Sequence, residues 1–288
     1  MYKVRMKMPK RIKPLYEDGI VDEVLSQLMS GKEATVYVVR CGSDIRCAKV
    51  YKEASKRSFK KAVEYQEGRA GRNSRRNRAI EKKSSFGRKQ QEESWQNAEV
   101  DALYRLANAG VCVPQPYGCF DGVLVMQLIT DANGDVAPRL NDIFLSEAQA
   151  IHDHVIIMHN VARMLSVGIV HGDLSEFNVL QDEFGPVIID LPQAVDASGN
   201  NNAKKMLERD VQNMTNYYAQ FASQLANSQY AQEIWDLYEK GELKKDVVLT
   251  GRFKEVEKKA DVDEVLLQIK AAFEEEQARK ERMKELDD

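Results

Sequence analysis

The chain has no run of about 18 apolar residues, the length a membrane-spanning helix needs, and no apolar stretch follows its basic start MYKVRMKMPKRIK. Neither a transmembrane anchor nor a secretory leader is expected. Cysteine is scarce: Cys41, Cys47, Cys112 and Cys119 stand at spacings that match no zinc signature, so reduced and mostly buried thiols are expected. Seven prolines occur in 288 residues, with no Pro-rich, Gly/Ser-rich or repeated tract, which leaves out fibrous and solenoid architectures. What is present, 43% hydrophobic and 30% charged residues, suits one large globular domain or two modest ones, with a cytoplasmic address and no membrane partner.

The net charge of -3 conceals two unlike halves. Residues 1–90 carry 24 basic and 10 acidic side chains, whereas residues 91–288 carry 18 and 35. The basic excess concentrates in 52–89, with 14 basic and 4 acidic residues. That stretch reads as a solvated loop or, alternatively, as a phosphate-binding patch. Its aromatics (Phe59, Tyr65 and Phe86) are too few to indicate base stacking.

Apolar spacing places Val21, Val24, Leu25 and Leu28 on one helical face, so VDEVLSQLM is expected to be a helix stopped by Ser30-Gly31. ATVYVVR and IRCAKVYK flank a glycine turn as a β-hairpin. A helix is expected over 92–108, with Trp95, Ala98, Ala102, Leu103 and Leu106 as its stripe. VCVPQPYG is an extended connector, VLVMQLI a strand, and TDANGD a turn. Ser146 and Gln149 resemble a capping box before a helix whose buried stripe is Ile151, Val155, Met158, Ala162 and Leu165, ending at Gly168. NVL and PVIID then flank the DEFG turn, and helices are expected from Asn202 to the end, the last with Val262, Val265, Leu266, Ile269 and Phe273 on one face.

Against that frame stands one dense constellation, HGDLSEFN at 171–178. It fits the spacing H-x-D-x-x-x-x-N, in which an aspartate (Asp173) takes the proton of an attacking hydroxyl and an asparagine (Asn178) holds a divalent ion beside the phosphates. Asp190 closes the apolar run VIID, where a carboxylate is costly unless paired or metal-bound. Lys49 lies on a strand, as a cation for the α- and β-phosphates must, and Glu99 on the next helix can pair with it. Each residue alone has an ordinary reading as a turn, an edge lysine or a solvent-facing glutamate. Their order along the chain is what makes them a set. His171 is read as a brace for the loop. In place of G-x-G-x-x-G the chain has only Ser30-Gly31-Lys32-Glu33-Ala34, where Ser30 and Lys32 could meet phosphates and Gly31 permits close backbone approach.

These segments, S-G-K-E-A-T-V-Y, A-K-V-Y-K, W-x-x-x-E, H-G-D-L-S-E-F-N, I-D-L-P-Q and R-D-V-Q-N (209–213), resemble the signatures of RIO kinases, the atypical serine/threonine kinase family. The resemblance runs from about Leu15 to about Tyr218 and favours the RIO-one branch, in a prokaryotic member. It departs at Met29, where many relatives have serine, and at Pro192 and Ala194 in the I-D-V-S-Q-S pattern. It implies an α+β, bilobal kinase-like fold, with a small β-rich N-lobe, a helical C-lobe and no long activation loop. The implied boundaries are a basic extension at 1–14, the N-lobe at 15–126 with a flexible loop at 52–89, the C-lobe at 127–225, and a helical extension at 226–288.

The same resemblance implies ATP with Mg²⁺ or Mn²⁺, the adenine at the hinge with Met126 as gatekeeper and backbone groups of Gln127 and Ile129 toward the base. Catalysis falls to Asp173, Lys49 and Glu99, phosphate contact to Ser30, Gly31 and Lys32, and metal ligation to Asn178 and Asp190. Partners would be ATP, a protein substrate and the chain itself, with serines 55, 58, 74, 84 and 85 of the basic loop as the self-phosphorylation sites. Two other classes remain open. One is an ATPase-type switch on RNA or a ribosome-related assembly, with Asp190 as phospho-acceptor, which the basic loop supports. The other is a small-molecule phosphotransferase of the aminoglycoside-kinase type, which shares H-G-D-L but departs at Ser175-Glu176-Phe177 and Leu191-Pro192-Gln193.

Overall fold

The computed structural model describes residues 8–52 and 98–253. The basic stretch 53–89, Trp95 and the apolar stripe from Val262 to Phe273 lie outside the described residues.

The N-terminal half is built on a five-stranded antiparallel sheet in the order β1-β2-β3-β5-β4: β1 (Glu23–Ser30), β2 (Ala34–Cys41), β3 (Asp44–Tyr51), β4 (Pro116–Phe120) and β5 (Val123–Gln127). The β2–β3 hairpin closes Cys41 on Asp44 through Gly42-Ser43, with Gly42 at φ 63°, as a two-residue turn demands. The strand alternation separates two faces. Val39, Cys41, Ala48, Val123 and Val125 pack against Ile12 and Leu15, which flank and occupy the short helix α1 (Lys13–Glu17). Ala34, Tyr51 and Leu124 face the other way, onto Ala102, Leu103 and Leu106 of helix α2, which covers 98–109.

The segment VDEVLSQLM is a strand, not the helix its spacing suggested. It pairs with β2 from Glu23↔Arg40 to Ser30↔Thr35, with register shifts between Val24 and Ser26 and between Gln27 and Met29. Each irregularity breaks the two-residue alternation that would have marked a strand. Leu28 and Met29 are exposed, so no helical apolar face exists to bury. The connector VCVPQPYG also gives way to a strand at Pro116, joined to β5 by Asp121-Gly122, both at positive φ.

The C-terminal half packs helices α3 (Glu147–Ser166), α4 (Ala203–Ala219) and α5 (Tyr230–Glu239) around one core, with the small ladders β6 (Ile169–Val170) with β9 (Val195–Asp196) and β7 (Val179–Gln181) with β8 (Pro186–Ile188). Ser146 caps α3 by accepting the Gln149 amide at 3.2 Å, and Gly168 follows its end at φ 73°. The buried face of α3 is not the expected one. Ile151 and Val155 are exposed, whereas Asp153, His154 and Asn160 are fully buried beside Ile157, Met158 and Leu165. Each has at least one partner: Asp153 accepts from Gln149 Nε2 at 3.2 Å, His154 Nε2 meets Thr215 at 3.0 Å, and Asn160 accepts the Cys112 amide at 2.8 Å, while His154 Nδ1 has no hydrogen-bond partner among the described residues. A hydrophobic count cannot see such a face. Within the expected run of helices, 240–253 runs irregularly and is pinned to α5 where Glu233 accepts the amides of Thr250 and Gly251, each at 2.8 Å. Of the four thiols, all unbridged, Cys41 and Cys47 are buried, but Cys112 and Cys119 are exposed.

Candidate active site

Lys49 is central. On β3 it sits opposite Val36 of β2 and Leu124 of β5, on the face it shares with Cys47 and Tyr51. Glu99 occupies the buried stripe of α2 at i to Ala102, Leu103 and Leu106 at i+3, i+4 and i+7. Helical spacing therefore carries its carboxylate inward, where it would be costly without a cation. Lys49 Nζ meets it at 2.5 Å, and meets Asp190 Oδ1 at 2.8 Å. Burial opposes the charge on Lys49, but Glu99 and then Asp190 outweigh it and hold the ammonium well above its ordinary pKa. Likewise, against its own desolvation, the Lys49 ammonium keeps Asp190 below the usual carboxylate range, helped by His171 and Arg139. Asp190 follows β8 at φ 67°, an uncommon backbone setting that aspartate tolerates better than most residues.

The loop HGDLSEFN is held from three sides. His171 Nε2 donates to the Ile189 carbonyl at 3.1 Å, while its Nδ1 accepts the Asp173 amide at 3.3 Å. Asp210, 1% exposed on α4, accepts the amides of Gly172 at 2.7 Å and Leu174 at 3.0 Å. Burial pushes its pKa up to about 6, against the opposing pull of His171 and those two amides. Arg209 donates to the Gly172 carbonyl, and Asn213 to that of Leu174 at 3.0 Å. These anchors all come from R-D-V-Q-N. Helix positions i, i+1 and i+4 lie on one side, which is the signal by which their anchoring role could have been read beforehand. Asp173 itself stands exposed at the loop's outer side.

Between the two halves runs a cleft of about 470 Å³. It brings together Gly31, Lys32, Lys49, Met126, Gln127, Ile129, Asn178 and Asp190 of the residues expected from sequence. Ser30 is turned elsewhere: its hydroxyl meets Lys52 Nζ at 3.1 Å and Thr35 Oγ1 at 3.3 Å, in an open depression lined also by Arg11. Glu99 reaches the cleft only through Lys49. Cys47, Val36, Pro114 and Arg139 line it without having been singled out.

No group of three His, Cys, Asp or Glu that could hold an ion by itself occurs among the described residues. The pair that faces the cleft suits a hard ion that keeps substrate oxygens as its other ligands. Asn178 commits its Nδ2 to the Asp173 carbonyl at 2.9 Å, which leaves its amide oxygen as a donor to metal. Asp190 is half exposed toward the cleft.

A five-stranded lobe and a helical lobe meeting at a cleft, bridged by a strand lysine, define a kinase-like fold. One solved structure similar to it is the Rio2 kinase in an ADP/Mg²⁺-phosphoaspartate complex from Chaetomium thermophilum, with TM-score 0.55 at 20% identity over 84% of this chain and 73% of that one. The RIO domain profile matches residues 35–231, and the chain belongs to the RIO family. A RIO-type serine/threonine-protein kinase Rio1 from Haloferax volcanii is 32% identical over 205 residues, covering 71% of this chain and 66% of that protein. Serine/threonine-protein kinase RIO1 from Chaetomium thermophilum is 31% identical over 215 residues, 70% of this chain and 40% of that one. The chain thus spans less than two thirds of the length of these relatives. No helix among the described residues is long and apolar enough to cross a membrane.

Proposed function

We propose that this chain is a cytoplasmic serine/threonine protein kinase that transfers the γ-phosphate of ATP, with Mg²⁺ or Mn²⁺, to protein hydroxyls including its own. The observation that carries the reading is the Lys49 ammonium, held between Glu99 at 2.5 Å and Asp190 at 2.8 Å across a cleft bordered by Asn178. In this reading Glu99 orients Lys49, and Lys49 holds the α- and β-phosphates. Gln127 commits its N–H to the Gln115 carbonyl at 2.8 Å and Ile129 its carbonyl to the Ala137 N–H at 3.0 Å. The Gln127 carbonyl and the Ile129 N–H are therefore the hinge groups assigned to the base. Asn178 and Asp190 would hold the divalent ion, which supplies charge neutralisation at the bridging phosphate oxygens. Asp173 accepts the proton of the incoming hydroxyl, and His171 and Asp210 keep its loop in place. The relatives named serine/threonine-protein kinases support the reaction class, and the four unbridged thiols fit a reducing compartment.

A second reading has its own support. The similar Rio2 structure is described as a phosphoaspartate complex, and Asp190 is the half-exposed cleft carboxylate beside Lys49 here. An ATPase-type switch on RNA or a ribosome-related assembly would place the phosphate on that carboxylate and release it to water. Incubation with γ-labelled ATP and Mg²⁺ separates the two. The kinase reading expects acid-stable label on serine, with loss of at least about a hundredfold in Asp173→Asn. Hydroxylamine-labile label with free phosphate favours the switch, and neither label nor released phosphate overturns both. The serines of 52–89 are the proposed self-phosphorylation sites, and phosphopeptide mapping locates the label.

A further inference from the structure

The cleft contains more charge than the nucleotide reading above assigns. Lys49 is shared by two carboxylates, Glu99 and Asp190, so that trio is net negative before a polyphosphate arrives. The other cations lining the cleft are Lys32 and Arg139. Arg139 is fixed at its backbone and undercommitted at its head. Its main chain bridges Leu180 of β7, two residues beyond Asn178, and the neighbouring Pro138 carbonyl accepts the Gln181 amide at 2.9 Å. The root of the side chain is thus held on the C-lobe wall, beside the loop that carries Asn178.

From there the guanidinium crosses the cleft. Among the described residues, its side-chain polar contact is the Met29 thioether on β1 at 2.8 Å, immediately before the Ser30-Gly31 turn. A thioether is a weak acceptor, whereas a guanidinium offers five donors in a planar fork matched to phosphate or carboxylate. Arg139, Asn178 and Asp190 line the same cleft, which places the guanidinium with the groups assigned to the phosphates and the ion. A half-buried, permanently charged group beside so poor an acceptor is poised for a better one.

We propose that Arg139 is a phosphate-binding residue of this cleft, its guanidinium leaving the Met29 sulfur for the terminal phosphates of the nucleotide. The inference rests on the nucleotide reading of the cleft and adds to it a cation, on the wall opposite the Ser30-Gly31 turn, that selects for the triphosphate.

Direct binding of fluorescent ATP and of adenosine, with Mg²⁺, to the full chain tests it without reference to turnover. Arg139→Gln is expected to weaken ATP about ten- to a hundredfold and to leave adenosine unchanged, as the loss of a charged hydrogen bond to phosphate requires. Unchanged ATP affinity, or an equal loss for adenosine, overturns the assignment. Met29→Leu is expected to bind ATP at least as well as the wild type. A fall matching that of Arg139→Gln would make the pair a clasp between the lips of the cleft and would also overturn it. Wild-type protein that binds no ATP removes the nucleotide reading itself. Wild-type binding with an indifferent Arg139 variant removes only this addition.

Discussion

Asp190 and Asp210 lie on either side of one loop, and their surroundings are opposite in kind. Asp190 is half exposed to the cleft and answers a cation on the other lobe, Lys49 at 2.8 Å. Asp210 is 1% exposed, and its oxygens take two backbone amides, of Gly172 and Leu174, within its own lobe. The difference separates what moves from what holds. A contact made across a cleft can be exchanged for phosphate or metal, because water and ligand reach one side of it. A carboxylate buried against its own loop can be exchanged for nothing, and serves to fix where Asp173 stands. Lobe-to-lobe chemistry and intra-lobe scaffolding are thereby assigned to different carboxylates.

The largest expected effect comes from breaking the first of these. Asp190→Asn removes the charge that faces Lys49 and the anionic ligand the proposed ion needs. Turnover should fall on the order of a thousandfold while the unfolding midpoint stays near that of the wild type. Turnover within a few-fold of wild type, in folded protein, would take Asp190 out of the site. Asp210→Ala should do the reverse in emphasis. It leaves two buried amides without an acceptor, at a cost of about 2–4 kcal/mol in urea unfolding. ATP affinity should change little, since Asp210 does not line the cleft. A stable Asp210→Ala protein with weakened ATP binding would erase the distinction between the two carboxylates.

Much of this division was legible in the sequence, and the misses have physical causes. Lys49, Asp173, Asn178 and Asp190 announce themselves because polar residues at fixed spacing interrupt apolar strands or sit in a tight loop. The fold class follows from the same segments. The strand β1 was hidden, since two register irregularities shift its side chains off a two-residue period and onto one that mimics a helix. Strand β4 was obscured by its prolines, although the Asp121-Gly122 pair between PYGCF and VLVM is a strong hairpin signal. The polar core of α3 could not be found by counting apolar residues, because Asp153, His154 and Asn160 are all buried, and His154 and Asn160 find partners in distant segments. Asp210 carries a signal in the helical spacing of R-D-V-Q-N, whereas Arg139 lines the cleft through tertiary proximity and no local pattern marks it.

A smaller effect tests whether the cross-lobe contact is one unit. Lys49→Met and Glu99→Gln remove opposite ends of a 2.5 Å contact. Their effects on ATP affinity should be non-additive by about 1–3 kcal/mol, whereas Lys49→Met combined with Asp210→Asn should add within about 0.5 kcal/mol. Additivity in the first cycle would mean Glu99 does not position Lys49. Strong coupling in the second would join the two networks that the geometry keeps apart.

The smallest expected effect is in the pH dependence of stability, where the two carboxylates carry opposite signs. Asp190 is held below its ordinary value of 3.8, with Lys49 overcoming its desolvation, so folding favours its ionised form. Its share of stability is present above about pH 4 and is lost as pH falls through the lowered folded value. Asp210 is raised from 3.8 to about 6 by burial, so folding favours its protonated form. Its share is present below about pH 4 and is lost as pH rises to about 6, at no more than about 1.4 kcal/mol per pH unit. Urea unfolding between pH 3 and pH 7 reads both limbs. Asp210→Asn does not titrate there, and should flatten the decline between pH 4 and 6 relative to wild type. Asp190→Asn should leave that decline in place and weaken the loss on the acid side. If Asp210→Asn keeps the wild-type slope between pH 4 and 6, burial does not govern that carboxylate. The amides of Gly172 and Leu174 would then hold it ionised throughout, as Lys49 holds Asp190, and the contrast between the two would be one of position alone.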